Sequence, residues 1–392
     1  MKALMMRAEW DPRPGYVPDA GELASGKARM ASQVWRHPTF HWETLPDPVP
    51  GRDEVLLRIR RCGVCGSDTH CYETDADGYI LFSGPTRLPC VVGHEYTAEV
   101  VEVGPDVKHL RVGDLVCAEG MLSCGACETC RVGRPNQCPA LEMVGFSSPG
   151  AYAELIVAKE RFLWRLDGLA DRLGSADSAL ELAALVEPIG CAYNGMFVSA
   201  GGLVPGSWVA VFGCGPIGLG AIALARAAGA AGIVGFDVVP ERVELARTLG
   251  ADEAYDPRNV DVVDVIRTLT RGQGADMMVE AAGAAHLTMP AIERSFAAGG
   301  RMVYLGRTGL RAPVMLDVLV TQAAGIVGAR GHSGQGCFPR ILRLMERGRL
   351  DVAAMVTSRY AFDRALDALQ KSTDRRDGKV MIAVDGSLTG ST

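Results

Sequence analysis

Between residues 208 and 225 the chain carries no charged side chain, and Gly213, Gly215, Pro216, Gly218 and Gly220 interrupt that apolar run. Its length would suit a membrane span. The breakers instead fit a buried strand, WVAVF, turning sharply into a buried helix. Read that way, GCGPIG from Gly213 to Gly218 is a GxGxxG turn between a strand and a helix. Gly213 permits the tight turn, Gly215 lets the backbone approach a pyrophosphate, and Gly218 allows close helix–strand packing. The helix N-terminus supplies N–H donors to phosphate. No other stretch constrains the fold as strongly.

The sequence beyond residue 207 supplies the surrounding sheet. GIVGFD, ERVELARTLG, VVDVIRTLT, DMMVEAAG, GRMVYLG and AGIVGARG alternate strand-like and helix-like segments, with Pro240 at one helix start and Gly250 at its end. This pattern predicts an α/β fold with a Rossmann-type, doubly wound parallel sheet. Asp237 lies 19 residues beyond Gly218. A carboxylate there can accept hydrogen bonds from both adenosine ribose hydroxyls and would repel a 2′-phosphate, so NAD is expected over NADP. Pro216, Ile217 and Arg242 are assigned to the same cofactor site. The bland alternative is a glycine-rich turn with a surface aspartate.

Before residue 207 the pattern differs. EVLLRIRRCGVCG, TAEVVEVG, DLVCAE and AYAELIVA read as short strands between turn signals, implying a β-rich first domain. Residues 1–50, with prolines at 12, 14, 18, 38, 46, 48 and 50, read as irregular, and residues 11–29 as an exposed loop. Residues 179–200 favour helix, broken by Pro188. Near the end, Phe362, Ala365, Leu366 and Leu369 share one helical face, and KVMIAVDG reads as a closing strand. At 392 residues the chain can bury two cores. Its formal charge of -6 gives no footprint for nucleic acid. MKALMMRAEW lacks the apolar core of a signal peptide, so the 12 cysteines are expected to be reduced, in the cytoplasm.

Four of those cysteines, Cys124, Cys127, Cys130 and Cys138, have the spacing CxxCxxCx7C, which suits one tetrahedral, all-sulfur structural zinc. An iron–sulfur cluster or free thiols are the alternatives. Upstream, GVCGSDTH (residues 63–70) collects Cys65, Ser67, Asp68 and His70, and its Cys62-x-x-Cys65 could by itself be a redox pair. Glycine-flanked His94 and Glu95 follow. Cys65, His94 and Glu95 offer one sulfur, one nitrogen and one carboxylate, a mixed set suited to an open zinc site. Glu187 precedes the inferred cofactor domain and could reach the same metal. Two zinc ions per chain are therefore expected.

GVCGSDTH, GHE, the four-cysteine lobe, VEP and GCGPIG occur in the order seen in zinc-dependent medium-chain dehydrogenases, which the chain resembles from about Glu54 onward. Glu95, Glu187 and Ser67 look like the sorbitol and threonine dehydrogenase branch. DADGYILFSG (75–84) and GHSGQGCFPR (331–340) are similar to scyllo-inosose 3-dehydrogenases. The resemblance implies a GroES-like catalytic domain over residues 1–185, completed by 335–392, around a Rossmann domain at 186–334. It implies catalytic zinc on Cys65, His94 and Glu95, with Glu187 bound directly or through water. Ser67 would bond the substrate oxygen and His70 would relay its proton. A strand within residues 324–330 would pair across a dimer, and a homodimer or homotetramer is expected.

Together these features lead to the expectation of a polyol or cyclitol dehydrogenase. Sorbitol- or threonine-type oxidation, amino-cyclitol biosynthesis and a non-catalytic dinucleotide-binding scaffold are the rivals. The region before Glu54 and the insertion at residues 72–89 are longer than the family usually has. Tyr79, Phe82 and Arg87 in that insertion could line a polar pocket or belong to a surface loop.

Overall fold

The computed structural model describes residues 1–332 and 334–386. The chain divides into two compact units. One comprises Met1–Glu187, Ser358–Asp374 and the chain from Lys379, the other Pro188–Thr357 and Arg375–Gly378. The first boundary falls two residues beyond the expected 185. The return to the first unit comes at Ser358 rather than at 335. The amphipathic helix Cys337–Glu346 explains the difference: it buries Phe338, Ile341, Leu342 and Met345, and Phe338 packs beside Gly190 in the second unit.

In the first unit the central sheet runs in the order Leu163–Arg165, Leu115–Ala118, Glu95–Val103, Glu54–Val64, Lys379–Ala383 and Val356–Ala361, and Leu155–Lys159 also pairs with Glu54–Val64. Alternating burial along Glu54–Val64 puts Val55, Leu57 and Ile59 in the core. The register sets the chemistry. Gly63 lies opposite Glu95 on one side and Met381 on the other, with Val64 opposite Val380. Cys65, His94 and Lys379 therefore lie together at one end of these three neighbouring strands.

The N-terminal region is not irregular. Lys2–Trp10 pairs antiparallel with Trp35–Thr44, from Lys2↔Thr44 to Trp10↔Trp35, with a register shift between Arg7 and Glu9. The shift accommodates His37, at φ 52°, and Pro38. Trp35–Thr44 is an edge strand, where the missing N–H of proline is tolerated. The supposed loop holds a short helix, Ala20–Ser25, whose N-cap Asp19 and Glu22 form a reciprocal capping box. The insertion is not a surface loop either: Tyr79, Ile80, Phe82 and Thr86 are buried. Arg87 is exposed and faces Glu142 at 3.4 Å.

The second unit holds a six-stranded parallel sheet in the order Glu253–Tyr255, Gly232–Phe236, Trp208–Phe212, Ala275–Glu280, Phe296–Tyr304, Gly325–Gly328. The earliest strand is central, which places the reversal of strand order beside it, the position where such sheets bind ligands. The 208–225 run resolves into the strand Trp208–Phe212 and the helix Pro216–Ala227. The helix break expected at Pro188 falls at Leu185. Pro188 lies in the first turn of the helix Val186–Tyr193, where its missing N–H has no intrahelical partner to lose. Among the described residues no single helix is long and apolar enough to cross a membrane.

Leu57 is fully buried within the central strand. Leu57→Ala should cost about 2–5 kcal/mol through lost burial and a cavity. Denaturant unfolding checks this, and a change under about 1 kcal/mol would contradict the placement of Leu57 in the core.

Candidate active site

Cys65 caps the helix Gly66–Tyr72, and its backbone N–H donates to Asp68 Oδ2 at 3.0 Å. The Cys65 sulfur, a His94 ring nitrogen and a Glu95 carboxylate oxygen lie within 4.8 Å of one another. His94 Nδ1 faces Asp68 Oδ1 at 3.4 Å, too poorly aligned for an ordinary hydrogen bond, since both atoms are buried without one. Nε2 is thus the nitrogen presented to the cluster, 3.5 Å from Ser67 Oγ. Burial works against a charged His94, but the Asp68 carboxylate raises its pKa well above the usual imidazole range. His70 lies one turn after Ser67 on the same helix, outside the three-residue cluster. Its carbonyl accepts from the Leu81 and Phe82 N–H groups at 2.8 and 3.0 Å, which docks the insertion against the site. Phe82 stacks on Phe146 at 4.4 Å, and Phe146 lies 5.0 Å from the His94 ring.

Sequence reasoning missed Lys379. Its ammonium, fully buried, donates to Glu95 Oε1 and Oε2 at 2.7 and 2.6 Å and to the Val64 carbonyl at 3.0 Å. A Cβ on Gly63 would collide with Glu95 Oε2, so glycine is needed where the carboxylate crosses the neighbouring strand. Burial raises the Glu95 carboxyl; Lys379 pulls it back and Glu187 pushes it further up. Burial works against the Lys379 ammonium, yet Glu95 holds its pKa above the ordinary value. The available signal was a lone lysine opening an otherwise apolar strand, KVMIA.

Glu187 is 8% exposed and acts electrostatically on Glu95 and Lys379. The structure does not bring it into the tight cluster, which holds three of the four expected ligands. The arrangement fits zinc. The donors are sulfur, nitrogen and oxygen, the imidazole is oriented from behind by a carboxylate, and three protein ligands leave a position open.

The four-cysteine lobe fits a closed site. All four sulfurs lie within 4.8 Å of one another, with Cys127 to Cys130 at 3.4 Å, Cys127 to Cys138 at 3.8 Å and Cys124 to Cys130 at 3.9 Å. A tetrahedron of ~2.3 Å Zn–S bonds has edges of ~3.8 Å. The N–H groups of Ala126 and Cys127 donate to Cys124 Sγ at 3.4 and 3.3 Å. Thr129 Oγ1 beside Cys127 lowers that thiol to about 6, while burial pushes Cys130 up to about 11.

At the dinucleotide turn, Gly213 has φ 88° and a Cβ there would sit 2.5 Å from the Ala282 nitrogen. Gly215 is the N-cap of the helix, Pro216 its first residue, and Ile217 follows. A Cβ on Gly218 would overlap the Gly213 carbonyl. Asp237 is already engaged: Oδ2 accepts from Cys214 N at 2.7 Å and Oδ1 from Val239 N at 2.8 Å. It braces the turn with part of its accepting capacity and keeps lone pairs for a ribose. Arg242 packs beside Gly215 and donates through Nε to the Asp377 carbonyl at 3.2 Å. Burial lowers its pKa against the pull of Asp237.

Known proteins are similar to this chain over nearly its whole length. The alcohol dehydrogenase GroES-like domain matches residues 51–168, and the zinc-binding dehydrogenase domain matches residues 216–347. The scyllo-inosose 3-dehydrogenase of Thermotoga maritima is 35% identical, covering 97% of this chain and 99% of its own. The L-threonine 3-dehydrogenase of Saccharopolyspora erythraea is 32% identical over 88% of this chain and 96% of its own. A solved Thermotoga maritima structure assigned to the alcohol dehydrogenases superposes with a TM-score of 0.94 at 34% identity, covering 98% of this chain and all of its own.

Two outcomes are expected of the site. Cys127→Ser should lower the zinc content by about one ion per chain and lower the melting temperature, read by metal analysis and calorimetry; full zinc with unaltered melting would remove Cys127 from the lobe site. Lys379→Met should destabilise the metal-free protein by about 3–5 kcal/mol, because it strands a buried carboxylate. Adding Glu95→Gln should recover much of that loss, and a loss unchanged in the double variant would contradict the pairing.

Proposed function

The chain belongs to the zinc-dependent medium-chain dehydrogenases, and on that premise we propose that it oxidises a secondary alcohol of a polyol or cyclitol, of the inositol or inosose kind, with the hydride passing to NAD. The observation that carries this reading is the convergence of Cys65, His94 and Glu95 beside the Ser67 hydroxyl. A zinc ion held by those three ligands supplies Lewis-acid polarisation of an alcohol oxygen. Ser67 accepts the hydroxyl proton of the substrate and passes it toward His70 and solvent. Asp68 faces the His94 ring, Lys379 holds the Glu95 carboxylate, and Glu187 would act on the metal directly or through water. The N-terminus of Pro216–Ala227 receives the pyrophosphate, while Asp237 takes the ribose and disfavours a 2′-phosphate.

The similarity to a scyllo-inosose 3-dehydrogenase favours a cyclitol. The similarity to an L-threonine 3-dehydrogenase supports a second reading, oxidation of an amino acid side-chain alcohol. We place the enzyme in the cytoplasm as a homodimer or homotetramer. The edge strand Gly325–Gly328, with Ile326 exposed on it, and the exposed Met315, Leu316 and Val320 support that assembly.

A screen following NADH absorbance across inositols, inososes, amino-cyclitols, sorbitol and threonine tests the substrate class. Cyclitols should give the highest kcat/KM with NAD, and turnover of threonine alone would overturn the cyclitol reading. Cys65→Ser should abolish turnover while NAD binding is retained, as measured by calorimetric titration; unchanged turnover would exclude Cys65 from the site.

A further inference from the structure

In the sequence Tyr152 reads only as part of the strand-like run AYAELIVA, yet it touches both segments that carry the site, residues 63–70 and the run into His94. The chain from Gly150 to Tyr152 runs against the residues that lead into His94. Gly150 N donates to the Val91 carbonyl at 2.8 Å, Ala151 N to Gly93 at 2.9 Å, and Tyr152 N to Val92 at 2.8 Å. The Tyr152 carbonyl accepts from Leu4 N at 2.8 Å on its other side. Glycines make this approach possible: a Cβ on Gly145 would lie 2.7 Å from the Gly93 carbonyl, and one on Gly150 would overlap the Val92 carbonyl.

The side chain completes the arrangement. Tyr152 is fully buried. Its ring lies against Gly93, at φ 88°, where any Cβ would strike it. The glycine that precedes His94 therefore serves the tyrosine as well as its own backbone turn. The phenol reaches Asp68 Oδ2 and the Gly63 carbonyl, both at 3.4 Å, a forked contact for one proton. Asp68 Oδ2 also accepts from Cys65 N, while Oδ1 faces His94 Nδ1. Burial, reinforced by Asp68, keeps the phenol protonated, so it is a donor to the carboxylate.

We propose that Tyr152 is a positioning residue for the metal ligand His94, acting through its hydroxyl on Asp68 and through its ring on Gly93. This rests on the assignment of catalytic zinc to Cys65, His94 and Glu95. Without the hydroxyl, Asp68 keeps only the Cys65 N–H on that oxygen and is freer to rotate away from Nδ1. Groups that orient a ligand from behind change metal affinity by about 10–100-fold when removed.

The experiment uses the full-length zinc-loaded protein and its Tyr152→Phe variant, which keeps the ring and so the packing against Gly93. Zinc release to a chromogenic chelator is followed alongside thermal melting of the metal-free forms. The expected result is one zinc per chain released about 10-fold faster or more in the variant, with the other zinc and the melting unchanged. Equal release rates overturn the proposal. Faster loss of both zincs with lowered melting also overturns it, since that reports a structural role alone. A wild-type protein holding zinc only at the four cysteines would instead overturn the catalytic-zinc assignment and the proposal with it.

Discussion

The site depends on the register of three antiparallel strands. With Gly63 opposite Glu95 and Val64 opposite Val380, a thiol, an imidazole, a carboxylate and an ammonium meet at one end of the strands. A slip of one residue in either pairing would turn the side chains to the opposite face and disperse the cluster. The hydrophobic alternation of Glu54–Val64 fixes that register, because only one phase buries Val55, Leu57 and Ile59. Core packing and site geometry are thus one constraint seen from two ends of a strand.

The register has an electrostatic consequence. Glu95 and Lys379 are buried together, so each ion loses its hydration and regains it only from the other and from nearby dipoles. Glu187 adds a second negative charge that acts on both. A divalent cation beside Cys65, His94 and Glu95 would offset that excess. The buried ammonium fixes the position of the Glu95 carboxylate. Lys379 holds both oxygens of Glu95, while Asp68 faces His94 Nδ1 at 3.4 Å as a charge contact without an aligned hydrogen bond.

What was legible in the sequence was local. The GxGxxG turn, the four cysteines and the alternating segments of the second unit declare themselves over windows shorter than twenty residues, because the physical demand is itself local: a tight turn, a small tetrahedron, an apolar face. Lys379 escaped because its partner lies 284 residues away. The pairing of Lys2–Trp10 with Trp35–Thr44 escaped because the prolines were weighed as breakers, whereas an edge position and a register shift absorb Pro38. The insertion at 72–89 looked like a loop because Tyr79, Ile80 and Phe82 show no period, and Phe82 is buried through its stack on Phe146 within a core drawn from distant segments. Cys337–Glu346 carries a clear amphipathic pattern, but a pattern does not say which of two cores it covers. Asp237 was legible as an acid at the right spacing, while its grip on the Cys214 and Val239 amides was not.

The site at the ends of the three strands is an open metal site only if it is distinct from the closed cysteine lobe and binds a metal of its own. Anomalous diffraction from crystals of the purified protein, collected on both sides of the zinc absorption edge, tests it most directly. The account predicts two zinc peaks per chain, one among Cys124, Cys127, Cys130 and Cys138 and one bounded by Cys65, His94 and Glu95. A peak at the cysteine lobe alone, with Lys379 still bridging both oxygens of Glu95 and no metal beside His94, would contradict it.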